Sequence, residues 1–336
     1  MTEMKRNEPV FAGIDGGGTR SVAVAVDSTG TPLAAARAGS LNFLGSSLPT
    51  ARRNLEKLIG SLQRRLSPKT QFRRIVVGCA ALFSDATKEE KEKLCRGILP
   101  LERTHVVSDS QPACFGATLG RPGLIVIAGT GSIVLAWNDT GQLTRVGGWG
   151  YLLGDGGSAY WIAVESVKAA IAAEEGLGPR TLMSPVIRRW FAVRKLTEIA
   201  PVIYGPDFEK QELAALSSHL ARKIGNRDAV FRGVCRRAGL DLAAQSLTVL
   251  KRAGTRTQPL PVCLLGGVLR NNARVRNGLV AALKKHCAVR FIEPRLSPAP
   301  GAAAMALVEC GVELTTDVVA NLAKIGKPQN RDERLR

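Results

Sequence analysis

Apolar residues in this chain gather in short runs broken by glycine and polar turns, and the runs alternate with longer stretches of helical spacing. A run FAGI precedes Gly18-Thr19-Arg20-Ser21, and VAVAV then leads into Asp27-Ser28-Thr29-Gly30. That order predicts a strand, a glycine-rich turn bearing hydroxyls, a strand over Ser21–Asp27 and a polar hairpin turn. A strand over Pro32–Ala38 and a helix around Leu48–Leu66 follow. RRIVVG predicts a strand ending at Gly78, and a helix from near Ser84 or Asp85 carries TKEEKEKL with charge pairs at helical spacing. THVVSD predicts a strand ending at Asp109, with a helix from Pro112.

The pattern then starts again. LIVIAG and IVLAW flank Gly129-Thr130-Gly131-Ser132, and Gln142–Val146 adds a third strand. Aligned without a gap, Gly18–Thr31 and Gly129–Gln142 share six of fourteen residues at an offset of 111 positions. The repeat predicts two similar domains that face one anion. A helical region runs from about Ser158 into the 250s, with breaks near Gly176–Pro179 and Gly205–Pro206. PVCLL is a strand that leads to Gly266-Gly267, followed by a helix around Asn272–Lys285, the strand AVRFIE, and a helix opened by GAAAMALVEC after two prolines. Strands alternating with helices after an opening hairpin predict α/β domains with mixed sheets. The tail GKPQNRDERLR is polar and reads as frayed.

Composition narrows the function classes. The 336 residues suffice for two cores, with 45% apolar and 22% charged residues. No apolar run reaches the ~20 residues of a membrane span. MTEMKRNEPV lacks the apolar stretch of a signal peptide, so a cytoplasmic protein is expected. The formal net charge of +19 sits in dispersed arginine doublets, and aromatics are only 5%. The reading is a basic surface that steers anionic ligands, with no nucleic-acid partner. Seven scattered cysteines without a CxxC pair read as reduced core residues, with neither disulfides nor a zinc site.

Five segments carry candidate chemistry. In Asp15-Gly16-Gly17-Gly18-Thr19, glycines let backbone N–H groups approach a polyanion while Thr19 and Ser21 add hydroxyls. Asp15 could hold Mg²⁺ there, through water. Nothing matches the GxxxxGK[ST] loop. Gly129-Thr130-Gly131-Ser132 is the counterpart of that segment. Asp109, between a strand and a helix, reads equally as an N-cap or as a general base at the carboxyl end of a sheet strand. The stretch Gly147–Ser158, with Trp149, Gly150 and Asp155, reads as a shaped loop feeding a helix, in which Asp155 meets ligand hydroxyls or caps that helix. Gly266-Gly267 reads either as a turn that accepts a flat base or as simple strand–helix punctuation.

Taken together, these segments resemble the BadF/BadG/BcrA/BcrD ATPase family, and within it the N-acetylglucosamine kinase branch of the actin-like, hexokinase-type ATPases. GIDGGGT resembles the first phosphate motif, IAGTGS the second, LLGGV the adenosine motif and GGWGYLLGDGGSAYW the segment GGWGxxxGDEGSxxW. The resemblance covers nearly the whole chain. It implies two actin-like (ribonuclease H-like) ATPase domains with a nucleotide cleft between them, divided as 1–119 and 120–325 with a tail at 326–336. It further implies an ATP- and Mg²⁺-dependent kinase of an amino sugar, N-acetylglucosamine or glucosamine, acting at the 6-hydroxyl, in a homodimer. Asp15 would organise Mg²⁺, while Gly17, Gly18, Thr19, Thr130, Gly131 and Ser132 would contact phosphates and Gly266 and Gly267 the adenosine. Asp109 would be the base, and Asn42, Trp149, Gly150 and Asp155 would bind the sugar. Gly156 stands where the family carries Glu, which removes a carboxylate beside Asp155. Within the same family, the alternative is an ATPase activator of a radical dehydratase, which needs cluster-binding cysteines flanking a glycine loop.

Overall fold

The computed structural model describes residues 8–66, 70–82, 86–206 and 208–325. The chain forms two compact units, one built from the chain up to Gly120 together with the segment from Glu293 onward, the other from Arg121 to Ile292. The expected start of a helix at Ser84 or Asp85 and the tail from Gly326 lie outside the described residues.

Unit one opens with strands β1 (Val10–Gly16), β2 (Arg20–Val26) and β3 (Pro32–Gly39), then helix α1 (Leu48–Leu66). Strand β4 (Phe72–Cys79), helix α2 (Lys88–Cys95), strand β5 (Thr104–Ser108) and helix α3 (Ser110–Thr118) complete its first part. The sheet order is β3-β2-β1-β4-β5, antiparallel from β3 to β1 and parallel from β1 to β5. Apolar residues run without a break over Val10–Ile14 of central β1, as expected of a strand covered on both faces, whereas edge strand β3 alternates. Val10, Ala12 and Ile14 face the cluster that includes Leu55, Leu58 and Leu62 of α1. Phe11 faces the opposite cluster. Thr87 closes a capping box with Glu90 at the start of α2.

Unit two repeats the plan with β6 (Gly123–Ala128), β7 (Ser132–Trp137) and β8 (Leu143–Gly147). Five helices follow: α4 (Ala159–Glu174), α5 (Met183–Trp190), α6 (Ile199–Ile203), α7 (Lys210–Lys223) and α8 (Ala229–Ala253). Then come β9 (Leu260–Leu265), α9 (Gly267–Asn271), α10 (Ala273–His286) and β10 (Val289–Ile292). Its sheet order, β10-β9-β6-β7-β8, has the strand directions of unit one. The repeat extends to the hairpin turns. Asp27 Oδ1 accepts from the Thr29 and Thr31 amides, and Asn138 Oδ1 from those of Thr140 and Gln142. Gly30 and Gly141 both adopt φ of 76°. One turn, with one set of hydrogen bonds, occurs twice.

The chain then returns to unit one as α11 (Pro298–Glu309) and α12 (Thr316–Ala323). The continuous second domain expected over 120–325 leaves this return out, because an Ala-rich helix carries no strong polar face to mark which sheet it covers. Helix α11 lies on β1 at Gly13, where an added Cβ would stand 2.1 Å from Ala303 N and 2.4 Å from Ala299 O. It also crosses α3, since a Cβ on Gly301 would stand 2.3 Å from Pro112 O and 3.1 Å from Gly116 Cα. Helix α12, absent from the sequence-based expectation, sits over the Gly30 turn, with Asn321 Nδ2 donating to Thr29 O. No helix among the described residues is long and apolar enough to cross a membrane.

Replacing Gly13 with Ala drives a methyl into the backbone of α11, where no side chain can give way. We expect a loss of about 3 kcal/mol in chemical denaturation. Gly60, in the middle of α1, has only the flexible end of Arg64 near its Cβ position, at 3.4 Å. Gly60→Ala is expected to raise stability by up to ~1 kcal/mol.

Candidate active site

The polar ends of β1, β4 and β5 converge on two carboxylates. Asp15 is paired with Gly78 of β4 and Val22 of β2, and the Asp109 amide donates to Cys79 O at 3.3 Å. Gly78 leaves little room for a side chain, since its Cβ would lie 3.2 Å from Asp109 Cα and 3.0 Å from Pro112 Cγ. Burial lifts Asp15 to a pKa of about 6, the negative charge of Asp109 adds to the rise, and Arg20 opposes it. Burial likewise lifts Asp109 to about 6 against the pull of nearby backbone amides. Asp109 occupies the N-cap position of α3, but its side chain makes no capping hydrogen bond. Its carboxylate therefore does not make the usual capping bond, although the amides of Ser110 and of Asp109 itself hold its pKa down.

The loop after β1 holds three kinds of glycine. A Cβ on Gly16 would meet Gly78 O at 2.4 Å, and one on Gly17 would meet Arg20 O at 3.0 Å. Gly18 is exposed, and the nearest atom to its Cβ position is Asn42 Nδ2 at 3.8 Å. None of the three adopts positive φ, so the tight-turn explanation does not account for Gly18. Thr19 is exposed, whereas Ser21 is 1% exposed and its hydroxyl has no partner. The Ser21 hydroxyl is thus sealed away from the loop surface on which Thr19 lies. Asn42 Oδ1 accepts from the amides of Leu44 and Gly45, which orients the side-chain NH₂ toward Gly18 and Gly45.

In unit two, Gly129-Thr130-Gly131 is seated on the start of α4: Ala159 N donates to Gly129 O at 2.8 Å and Tyr160 N to Thr130 O at 3.3 Å. Thr130 is exposed. Both donors of Ser132 are used internally, the amide on Asp155 Oδ1 at 3.2 Å and the hydroxyl on Gly156 O at 2.9 Å. Helix α4 is capped by Ser158, not by Asp155. Asp155 adopts φ of 61° and is 8% exposed, and a Cβ on Gly131 would stand 2.7 Å from its Oδ2. Burial raises its pKa, and the Ser132 amide and Lys210 lower it. Gly266 packs its backbone on the end of β6, where a Cβ would lie 2.2 Å from Ala128 O, so the Gly266-Gly267 turn adjoins Gly129. Gly129 and Gly267 have nothing within 4 Å of their Cβ positions and no positive φ. Trp149 is 56% exposed with Arg145 Cζ 4.8 Å above its ring, and Gly150 adopts φ of 83°.

Four residues at these sites carried no signal in the sequence. Arg20 and Lys210 act on Asp15 and Asp155 through charge alone. Gln245 Nε2 donates to Gly156 O at 3.2 Å, and Asp241 Oδ2 lies 3.5 Å from the Cβ position of Gly156. The place where the family carries Glu is thus bordered by a carboxylate from α8. A spacing of 85 residues between Gly156 and Asp241 hides that contact from pattern reading.

Two sheets of one order, each opening with a hairpin around a Gly-Thr loop, define an α/β protein built on a duplicated plan. The sequence model of the BadF/BadG/BcrA/BcrD ATPase family matches residues 12–306, and the chain belongs to that family. It is 27% identical over 263 residues to an N-acetylmuramic acid/N-acetylglucosamine kinase of Clostridium acetobutylicum, covering 77% of this chain and 85% of the relative. It is 27% identical over 315 residues to the N-acetyl-D-glucosamine kinase of Dictyostelium discoideum, covering 90% and 98%. A Chromobacterium violaceum protein, provisionally assigned as an N-acetylglucosamine kinase, shares the fold with a TM-score of 0.70 at 23% identity, covering 89% and 99%.

The raised pKa of Asp109 has a consequence for stability. Between about pH 4 and 6 the folded chain holds a proton there that the unfolded chain has released, so this group lowers stability as pH rises through that window. Asp109→Asn removes the cost. It is expected to melt above the wild type at pH 7 to 8, with the difference vanishing below about pH 4 by calorimetry. A lower melting temperature for the variant at pH 8 would contradict the assignment.

Proposed function

We propose that this protein is an ATP-dependent kinase that phosphorylates an amino sugar, N-acetylglucosamine or glucosamine, at the 6-hydroxyl. The observation that carries the reading is Asp109, a carboxylate that makes no capping bond to the helix it precedes, at the end of a sheet strand with one strand between it and an acid-and-glycine loop. The names of the Clostridium and Dictyostelium relatives support the acceptor class.

Phosphoryl transfer asks a protein mainly for positioning and charge neutralisation. Gly17, Gly18 and Thr19, with Thr130 and Gly131, would present amides and hydroxyls to the phosphates of ATP, and Gly266 and Gly267 a flat backbone to the adenosine. Ser132 would act at one remove, holding Asp155 and Gly156 in place rather than touching phosphate. Asn42, Asp155, Trp149 and Gly150 would bind the sugar, Asn42 as a donor because its oxygen is committed to its own turn. Asp109 would accept the proton of the attacking hydroxyl; a pKa of about 6 leaves it ionised at neutral pH and basic enough to hold that proton.

The donors present fit Mg²⁺. Asp15 is a hard oxygen ligand beside a second carboxylate, and their mutual repulsion is the kind a divalent cation relieves. Bound there through water, Mg²⁺ would supply neutralisation of the phosphate charge.

A coupled ADP-release screen across glucosamine, N-acetylglucosamine and glucose tests the acceptor: stimulation by an amino sugar supports the reading, and no stimulation by any of them refutes it. Asp109→Ala is expected to lower kcat by at least about 10³-fold with ATP affinity within about twofold of wild type. Retained turnover would remove Asp109 from the role of base. Gly18→Ala and Gly267→Ala, which meet no protein atom closer than 3.8 Å, are expected to keep the wild-type melting temperature and weaken ATP binding in titration calorimetry.

A further inference from the structure

Most of the positive charge of this chain is concentrated in one stretch. Between Arg222 and Arg290 lie fifteen Lys and Arg residues against two acids, Asp228 and Asp241, a net of +13 out of +19. The stretch runs from the end of α7 through α8 and α10, all within unit two. Helices α8 and α10 pack backbone on backbone, since a Cβ on Gly239 would stand 2.5 Å from Val275 O. Near the start of each helix, one arginine reaches Asn226, in the short 3-10 turn Gly225–Arg227 between α7 and α8.

Arg232 of α8 donates through Nη1 to Asn226 O at 2.7 Å, and Arg274 of α10 donates through Nε to Asn226 Oδ1 at 2.8 Å. One residue thus holds two guanidiniums from two helices. Arg274 also acts through charge on Cys235 of α8, whose Sγ accepts from Asn272 Nδ2 at 3.3 Å, so both helices fix its place. Each guanidinium commits a single N–H at this turn, and among the described residues neither has a carboxylate partner. The acid beside them, Asp228, is 4% exposed and turned inward. Its Oδ1 accepts from Phe231 N at 2.7 Å, and its Oδ2 from Thr181 Oγ1 at 2.8 Å and Leu182 N at 2.6 Å. Two like charges held on one residue without a counter-ion repel each other. Asn226 and Arg274 are exposed, so an anion from solution has access to them.

We propose that this turn is a binding site for the phosphate group of a small phosphorylated molecule, held by Arg232 and Arg274. The site lies in unit two alone and does not depend on the kinase reading. A guanidinium presents a planar fork that matches phosphate oxygens, and two of them match a dianion, where a lone carboxylate carries a single charge. Helix α10 starts one residue before Arg274, and the free amides of its first turn add to the positive potential. Leu240 is the one large apolar side chain exposed between Arg222 and Arg290, which leaves recognition to charge. Free inorganic phosphate and a sugar phosphate both carry the required group.

Titration calorimetry on the whole protein tests the site, at fixed ionic strength and with a saturating Mg-ATP analogue to keep the Gly-Thr loops occupied. The probes are inorganic phosphate, glucosamine 6-phosphate and acetate. Both phosphates are expected to bind, with acetate at least about tenfold weaker. Arg274→Gln and Arg232→Gln are each expected to weaken phosphate about tenfold, as loss of a charge-assisted bond warrants. Lys284→Gln, on the same helix but about 15 Å further along, is expected to change it by less than about twofold. Asn226→Asp separates ligand from scaffold. It keeps both acceptors for the arginines and supplies their counter-ion, so the melting temperature holds while phosphate binding is lost. Tighter binding of glucosamine 6-phosphate than of phosphate assigns the site to a sugar phosphate, and equal affinity assigns it to free phosphate. No binding of either phosphate, acetate as tight as phosphate, an equal loss in Lys284→Gln, or binding that survives Asn226→Asp would overturn the proposal.

Discussion

Backbone laid on backbone at Gly13 is the constraint on which unit one depends. Helix α11 touches β1 there with no side chain between them, and the same helix crosses α3 at Gly116 and Gly301. Strand β1 carries Asp15, and α3 begins immediately after Asp109. A single Ala-rich helix therefore holds both carboxylates in register from behind the sheet, though it contributes nothing to the site itself. Close approach of this kind is rigid because no rotamer can absorb a displacement. Arg74 and His105, both bonded to Glu309, tie the far end of α11 back to β4 and β5.

What α11 holds in place is costly. Two carboxylates are withdrawn from water with Arg20 alone opposing the rise at Asp15, and both are pushed well above the ordinary aspartate range. A fold optimised for stability alone would not keep them. The glycines show the same economy from the other side. Gly13, Gly16 and Gly266 are demanded by the protein's own backbone, while Gly18, Gly129 and Gly267 are demanded by nothing in it. The space kept clear at these three turns has no counterpart in the packing of either unit.

The duplication shows how one element acquires two jobs. The hairpin turns keep the same hydrogen bonds and the same left-handed glycine, so the strand register of both sheets is inherited intact. The loops have diverged. Ser21 is sealed into the sheet with an unpartnered hydroxyl, whereas Ser132 binds the Asp155 carboxylate and the Gly156 carbonyl. That difference makes the second loop the anchor of the Gly147–Ser158 segment.

Much of this was legible in the chain alone, because hairpins, caps and amphipathic helices are specified by neighbours in sequence. Both hairpins, the helix Leu48–Leu66 and the motifs that mark the family follow from local pattern. The positions of Asp15, Asn42 and Asp109 on the loops and strand ends of unit one, and of Thr130, Asp155 and Gly266 in unit two, also follow from it. The sequence left Asp109 balanced between cap and base, and Asp155 between cap and ligand. Only tertiary structure decided that Asp155 is bound by Ser132, which leaves the cap of α4 to Ser158. It alone returned α11 to unit one and set Asp241 beside Gly156. Each of those depends on contacts between residues tens to hundreds of positions apart. Local periodicity carries no record of them, because the free energy that selects them is released only when the whole sheet is covered.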